Sequence, residues 1–364
     1  MAFTSDASDI KKYLLNPNEL LFNRTNSPEW VGKTAIYRGD IPAIFAGYII
    51  RVKPIFIDPF YLNYLMNSEY HRDICFHVKT DGVNQSNINA QKLSNFTYPI
   101  PPLAEQRRIV AAIESVFTVI DEIERNKTDL QAAVAAAKRK IISLAIRGKL
   151  VPQDPNDEPA SVLLKRIHAG KADSITNYEL RITKGESPFD VPESWSLAMI
   201  CEVCEPQETK RPAGDTFRYI DIDAIDNKRH CVSKPKVMSV RQAPSRAAKG
   251  VRNGDTLFSM VRPYLENIAF ITNDLSDCIA STGFYICRPH SDILFPQYLF
   301  YYLTSSQTIN GINSYMRGDN SPAIRKDEMD SFPVPIPPLA EQRRIVAAIE
   351  AAFEQLDMIT EHLN

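Results

Sequence analysis

The sequence predicts an α+β chain: two mixed α/β domains separated by long antiparallel coiled-coil helices, a pseudo-twofold tandem duplication. Three observations predict it. Pro99 to Glu114 and Pro335 to Glu350 both read PIPPLAEQRRIVAAIE. Neither Gly nor Pro interrupts Leu103 to Arg147. The segments ahead of both repeats interleave short strand-like runs with amphipathic helical ones.

The duplication reaches upstream of the repeat. At the same offset Leu21-Phe22 meets Leu257-Phe258, Gly47 meets Gly283, Asn84 meets Asn320, Ile88 meets Ile324 and Phe96 meets Phe332. One inserted residue brings Pro59, Tyr61, Leu62 and Tyr64 onto Pro296, Tyr298, Leu299 and Tyr301. The unit duplicated is therefore a whole globular region with the helix that follows it.

Pro101-Pro102 gives an extended approach and a helix start, with Glu105 in the first turn. The apolar positions Ile113, Phe117, Ile120, Ile123, Leu130, Val134, Ala137, Ile141 and Leu144 recur three or four apart, as in a coiled-coil seam. A helix of about 45 residues is roughly 65 to 70 Å long. Lys138, Arg139, Lys140, Arg147 and Lys149 crowd its end, where they suit the helix dipole or nucleic-acid phosphates equally well, and Gly148 fits a C′ position. The second copy begins at Leu339 and runs to the chain end.

The expected organisation is a first domain over 1–98, a central helix over 99–150, a linker with a short helix at Ala160 to Ala169 over 151–190, a second domain over 191–334 and a distal helix over 335–364. In the second domain Val251 to Phe258, Ile268 to Thr272 and Gly283 to Arg288 read as strands, and Pro296 to Ser305 as a helix.

At 364 residues, 44% hydrophobic and 24% charged, two modest cores are expected. No apolar run approaches a membrane span and the N-terminus has no signal-peptide pattern, so a cytoplasmic protein is expected. Six cysteines in such a chain imply reduced thiols, and Cys201-x-x-Cys204 without a matching second pair is weak support for zinc. The net charge of −2 argues against a uniformly basic DNA binder and requires any positive surface to be local.

Enzyme motifs fail on inspection. Gly32-Lys33-Thr34 imitates the end of a phosphate loop, but Ser27 stands where its first glycine belongs. Asp58-Pro59-Phe60-Tyr61 resembles a methyltransferase loop, yet its counterpart Phe295-Pro296-Gln297-Tyr298 has lost the acid. No catalytic residue, metal site or cofactor site is expected in this chain.

Leu21 to Glu29 followed by Val31-Gly32-Lys33-Thr34 resembles the target-recognition domain of type I restriction-modification specificity subunits. PIPPLAEQRRIVAAIE, with Arg147-Gly148-Lys149-Leu150-Val151-Pro152, is similar to that family's shared helical region. The resemblance implies two domains that each read one half of a split double-stranded DNA target, at a distance fixed by paired helices. It implies docking of methyltransferase subunits and of restriction and translocase subunits. S-adenosylmethionine, ATP and Mg would then reside on those partners. By this alignment the first domain lacks the counterpart of roughly forty to fifty residues, and the last helix stops early.

Candidate DNA contacts are Arg24, Thr25, Asn26, Lys33, Asn84 and Gln85 in the first domain, and Arg262, Tyr264, Asn267, Arg317, Asn320, Ser321 and Arg325 in the second. They sit in polar loops, and Asn, Gln and Arg can pair bidentately with purine edges. Candidate partner contacts form an exposed polar stripe, Glu105, Gln106, Arg107 and Arg108, with its twin Glu341, Gln342, Arg343 and Arg344. The residues alone leave open a scaffold that assembles proteins, not DNA, on a coiled-coil rod.

Overall fold

In a computed structural model, residues 6–170 and 191–361 are described, the side chains of 166–170 apart. Of the expected linker over 151–190, residues 171–190 lie outside the described residues. Contacts divide the chain into two units, Met1–Asn126 and Lys127–Asn364. The central helix, Leu103–Ala145, belongs partly to each.

The same three-stranded antiparallel sheet occurs in both units. In the first, Leu20–Asn23 lies between Thr34–Ile36 and Ile49–Val52. In the second, Thr256–Ser259 lies between Ile268–Phe270 and Phe284–Cys287. Leu21 is flanked by Ala35 and Arg51, and its twin Leu257 by Ala269 and Ile286. Val251 to Asp255, expected to be strand, instead forms the turn that leads into it.

Side chains alternate faces along a strand. Phe258 and Ile268 face a core shared with Tyr298, Leu299 and Tyr302, whereas Leu257 and Ala269 face a second core with Ile220, Val251 and Ile271. The second core is roofed by a four-stranded sheet of Lys236–Ser239, Thr216–Ile220, Ile279–Ser281 and Ala247–Gly250, with one parallel pairing. All four residues of Thr256–Ser259 are consequently buried. Among the described residues the first unit has no such roof. Leu20 and Phe22 are buried, while Leu21 and Asn23 are only half-buried.

An acid at the start of each middle strand meets a cation at the end of its neighbour. Glu19 lies 3.7 Å from both Arg51 and Lys53, and the fully buried Asp255 is held by Arg288 at 2.7 Å. Buried charges persist only when paired in this way.

Each sheet is backed by two helices, Pro59–Leu65 and Glu69–Val78 in the first unit, Pro296–Leu303 and Ser306–Asn313 in the second. Asp58 caps the first of these by accepting from the Phe60 and Tyr61 N–H groups at 3.0 and 3.1 Å, which explains the acid without any catalysis.

A glutamine of the repeat ties head to helix in both units. Gln106 Oε1 accepts from the Asp58 N–H at 2.8 Å, and its Nε2 donates to the Pro101 carbonyl at 2.8 Å. Gln342 Oε1 accepts from the Phe295 N–H at 2.6 Å, and its Nε2 donates to the Ile293 and Pro337 carbonyls at 2.9 Å. Tyr61 and Tyr298 reinforce this by donating to the Pro99 and Pro335 carbonyls, both at 2.9 Å.

Within the second unit, Lys138 pairs with Asp357 while Gln153, further along, meets Glu341. Partner numbers fall as chain numbers rise, so the end of the central helix and the distal helix Leu339–Glu361 run antiparallel. Ile142, Ala145 and Ile146 share a core with Ile345, Val346 and Ile349. Along the seam Val134 is buried and Ala137, Ile141 and Leu144 are half-buried, whereas Phe117, Ile120, Ile123 and Leu130 are exposed.

His71, 1% exposed, sits under the Gly32 loop. Its Nε2 donates to the Gly32 carbonyl at 3.1 Å and its Nδ1 lies 2.7 Å from the Tyr98 hydroxyl, a site whose burial favours the neutral ring. Gly32 has φ +90°, and a Cβ there would lie 2.4 Å from Cys75 Sγ. That glycine serves packing, not phosphate.

Truncating Gln342 to Ala should destabilise the second unit by about 3 kcal/mol or more in urea denaturation, since three buried backbone groups lose their partner. Gln106→Ala, with two such bonds, should cost the first unit about 2 kcal/mol. Burial lowers the His71 pKa below its ordinary 6.5. The unfolded chain then binds the proton more readily, so stability of the first unit is complete above pH 6.5 and declines as pH falls below it. Hydrogen exchange across Glu69–Val78 should show that slope, and His71→Gln should abolish it.

Candidate nucleic-acid interface

Beyond each three-stranded sheet the chain builds one loop scaffold twice. The Arg24 N–H donates to the Tyr48 carbonyl at 3.1 Å, and the Arg24 carbonyl accepts from Ile88 at 2.9 Å. The Met260 N–H donates to the Gly283 carbonyl at 2.9 Å, and the Met260 carbonyl accepts from Ile324 at 3.0 Å. Next along the chain Thr25 pairs antiparallel with Asn87, and Val261 with Ala323. These contacts are backbone bonds, so they hold the loops whatever side chains they carry.

In the first unit Thr25–Asn26, Ser86–Asn87 and Thr80–Asp81 make a three-stranded miniature sheet in that order. An open groove of about 580 Å³ is lined by Thr25, Thr80, Asn84, Gln85 and Asn87, with Val83 wholly exposed at its tip. Asn87 Nδ2 donates to Thr25 Oγ1 at 2.7 Å, and Lys79 pairs with Asp81 at 2.6 Å. Asn26 Oδ1 accepts from the Ser27 N–H at 2.8 Å. Arg24, Thr25 and Asn26 are half-buried, and Asn84 and Gln85 are exposed. Lys33 lies apart, its ammonium 4.9 Å above the exposed Trp30 ring.

In the second unit the corresponding loops bring Arg262, Tyr264, Arg317, Asn320, Ser321 and Arg325 together. Arg262 donates its N–H to the Pro322 carbonyl at 2.7 Å and Nη2 to the Asn320 carbonyl at 2.8 Å. Arg317 Nη2 lies 2.9 Å from Glu328 Oε1 and its backbone pairs with Ala323. Tyr264, 46% exposed, stands on a single turn, Pro263–Leu265, between two left-handed residues, Arg262 (φ 48°) and Glu266 (φ 55°). Such non-glycine conformations cost on the order of 1 to 2 kcal/mol each. Among the described residues the Arg262 and Arg325 guanidinium groups have no carboxylate partner.

Asn267 does not join this cluster. It is 9% exposed and lines a separate groove with Asp221, Asp223, Asn227 and Arg246, where Arg246 pairs with Asp221 at 2.8 Å. Sequence reasoning missed Thr80 and Asp81. The matched glycines Gly82 and Gly318 were the available signal, since they mark the same loop in both units.

The supposed exposed stripe requires correction. Gln106, Glu341 and Gln342 are 1%, 1% and 0% exposed, and both glutamines are spent on the clip. Glu341 Oε2 accepts from Trp195 Nε1 at 3.0 Å, and Arg344 pairs with Asp157 at 2.5 Å. Glu105, Arg107, Arg108 and Arg343 remain exposed. Periodicity assigned the helix correctly, but polar residue type was a poor guide to which face is covered. The cysteines likewise build no site: Cys204 is buried in the main core, its thiol pushed well up by burial, and no cluster of three or more metal-ligating side chains occurs among the described residues.

The description "Type I restriction modification DNA specificity domain" matches residues 4–131 and 193–364, the two copies of the duplicated unit. The chain belongs to this family. The type I restriction enzyme EcoAI specificity subunit of Escherichia coli is 30% identical over 249 residues, covering 64% of this chain and 41% of that protein. A putative MjaX specificity subunit of Methanocaldococcus jannaschii is 24% identical over 96% of this chain and 75% of its own length. An HsdS subunit from Thermoanaerobacter tengcongensis superposes with TM-score 0.45 at 38% identity, over 48% of this chain and 46% of its own. The alignment to EcoAI thus spans about two fifths of that relative. No helix among the described residues is long and apolar enough to cross a membrane.

Arg262→Gly should leave the second unit as stable or raise it by up to about 1 kcal/mol, because glycine relieves the left-handed backbone. Thermal unfolding measures this. A loss well above 1 kcal/mol would make Arg262 a structural residue and not an exposed contact.

Proposed function

We propose that this chain is the DNA-recognition subunit of a type I restriction-modification complex and performs no chemistry itself. Each unit reads one half of a split target through its loop scaffold. The observation that carries the reading is that the backbone contacts from Arg24 and Thr25 to the loop at Asn87–Ile88 recur from Met260 and Val261 to Ala323–Ile324 while the side chains differ. Asp81 stands in the first unit where Arg317 stands in the second, and Asn26 where Arg262 stands. A reader of two different half-sites needs constant backbone placement and divergent side chains.

Arg262 and Arg325 supply unpaired positive charge for phosphates or for guanine O6 and N7. Asn84, Gln85 and Asn87 suit adenine edges, and the fully exposed Val83 suits a thymine methyl. The net charge of −2 is compatible with this because Arg262 and Arg325 put local positive charge on the loops of the second unit. Methyltransferase subunits dock on the repeated helices, and restriction and translocase subunits complete the assembly. S-adenosylmethionine, ATP and Mg act on those partners. Within the repeated stripe, Arg107 and Arg343 are exposed in both copies and are the contacts best suited to equivalent subunits. A cytoplasmic location follows from this role.

The test is fluorescence anisotropy on genomic fragments with the methyltransferase subunits present. Arg262→Ala with Arg325→Ala should weaken binding by roughly ten- to a hundredfold and flatten the salt dependence by about two counterions. Unchanged affinity and salt slope would remove both residues from the interface. Absence of any DNA preference, with or without the partner, would favour the protein-assembling scaffold instead.

A further inference from the structure

Asn267 follows the left-handed Glu266 and is 9% exposed, and its carbonyl accepts from the Ser259 N–H at 3.1 Å. Its side-chain amide makes no hydrogen bond among the described residues. The strand does not require an amide at this place. In the first unit Lys33 occupies it, its carbonyl accepting from the Asn23 N–H at 3.0 Å. A buried amide without a partner is unfavourable, so one kept at this depth is best explained by a partner from outside the chain.

The amide lines an open groove of about 480 Å³ with Asp221, Ile222, Ile225, Asn227 and Arg246. Ile222 and Ile225 pack on the second core and give the groove an apolar side. The charges at its rim are already paired. Asp221 accepts from the Ile222 N–H at 3.0 Å and meets Arg246 at 2.8 Å, and Asp223 meets Lys236 at 2.5 Å. The rim therefore holds no unpaired cation for a phosphate and no unpaired carboxylate for an amine. An apolar side and a recessed donor with an adjacent acceptor complement an uncharged nucleobase, whose edges carry donors and acceptors side by side.

The groove shares structure with the recognition loops. Asn227 Nδ2 donates to the Leu265 carbonyl at 2.8 Å, on the turn that carries Tyr264, and the Arg246 carbonyl accepts from the Thr282 N–H at 2.8 Å. Ile222 lies against Gly283, with its Cδ1 3.2 Å from where a Cβ would stand, and the Gly283 carbonyl holds the Met260 N–H.

We propose that this groove takes one nucleobase unstacked from the bound DNA, with the Asn267 amide pairing its edge and Ile222 against its face. The inference rests on the DNA-recognition reading above. A base still stacked in a duplex does not reach a recessed amide, so the base leaves the stack, a step that is easiest for an unpaired nucleotide. Tyr264 and Leu265, both exposed on the adjoining turn, are suited to fill the gap that the base leaves.

The test compares two duplexes of one sequence, one fully paired and one carrying a single bulged 2-aminopurine, with the methyltransferase subunits present. The parent complex should bind the bulged duplex about tenfold tighter, roughly the worth of one bidentate pair, and the 2-aminopurine emission should change on binding. Asn267→Ala removes no bond within the chain. It should bind the paired duplex as the parent does, which also reports that it folds, and should lose the preference for the bulge. A parent that binds paired DNA without preferring the bulge overturns the proposal and leaves the recognition reading standing. Failure to bind either duplex defeats that reading and the groove with it. A preference that survives Asn267→Ala places the base elsewhere and overturns the proposal. Free 2-aminopurine riboside bound as tightly as the bulged duplex would assign the groove to a soluble nucleoside, and loss of the methyltransferase subunits from Asn267→Ala would assign it to protein docking. Either result overturns it.

Discussion

One buried amide per unit holds a helix to a head. Gln106 and Gln342 sit where three things meet: the proline approach, the first helical turn and the start of the first backing helix. A buried amide left unpaired is costly, so the three elements keep one arrangement or the unit loses several hydrogen bonds at once. The tyrosine hydroxyls of Tyr61 and Tyr298 fix the same strand from the other side. The sheet, the loops and the candidate contact residues they carry all lie distal to this joint.

The duplication, the long helix and the three strands of the second unit's sheet were legible in the sequence, because each rests on local rules. Prolines set the approach, the absence of Gly and Pro permits the helix, and alternation marks the strands. What was not legible is tertiary. Glu341 looks like any helical surface acid, and only the chain's return through Gln153 and Trp195 makes it a buried acceptor. Its twin Glu105 shows the point with no change of residue, being identical in local sequence and exposed. Leu21 and Leu257 repeat the lesson in the sheet, half-buried in one unit and fully buried in the other, according to whether a roofing sheet is present.

The candidate interface was half legible. Matching positions at a fixed offset pointed to these loops, and the structure brings together six of the seven residues named in the second unit. Asn267 fell away because a polar residue beside a turn can point inward, where it lines a groove instead of facing solvent. Thr80 and Asp81 were missed because their strand has no motif, only a shared glycine and a backbone ladder that becomes visible once both copies are folded.

The clip bonds almost entirely to backbone: an amide N–H at Asp58 or Phe295 and carbonyl groups at Pro101, Ile293 and Pro337. Main-chain groups are common to all residues, so the joint does not sense which side chains the head carries. Asp58 and Phe295, as unlike as two residues can be, are held identically. At this joint the heads owe the helices only a proline and a tyrosine, and the further side-chain packing of Tyr298, Leu299 and Tyr302 with Ile345 and Ile349 involves the backing helices, not the loops. Selection can rewrite a recognition surface by ordinary drift without passing through variants that detach it, so this joint confers evolvability on the part of the molecule that changes.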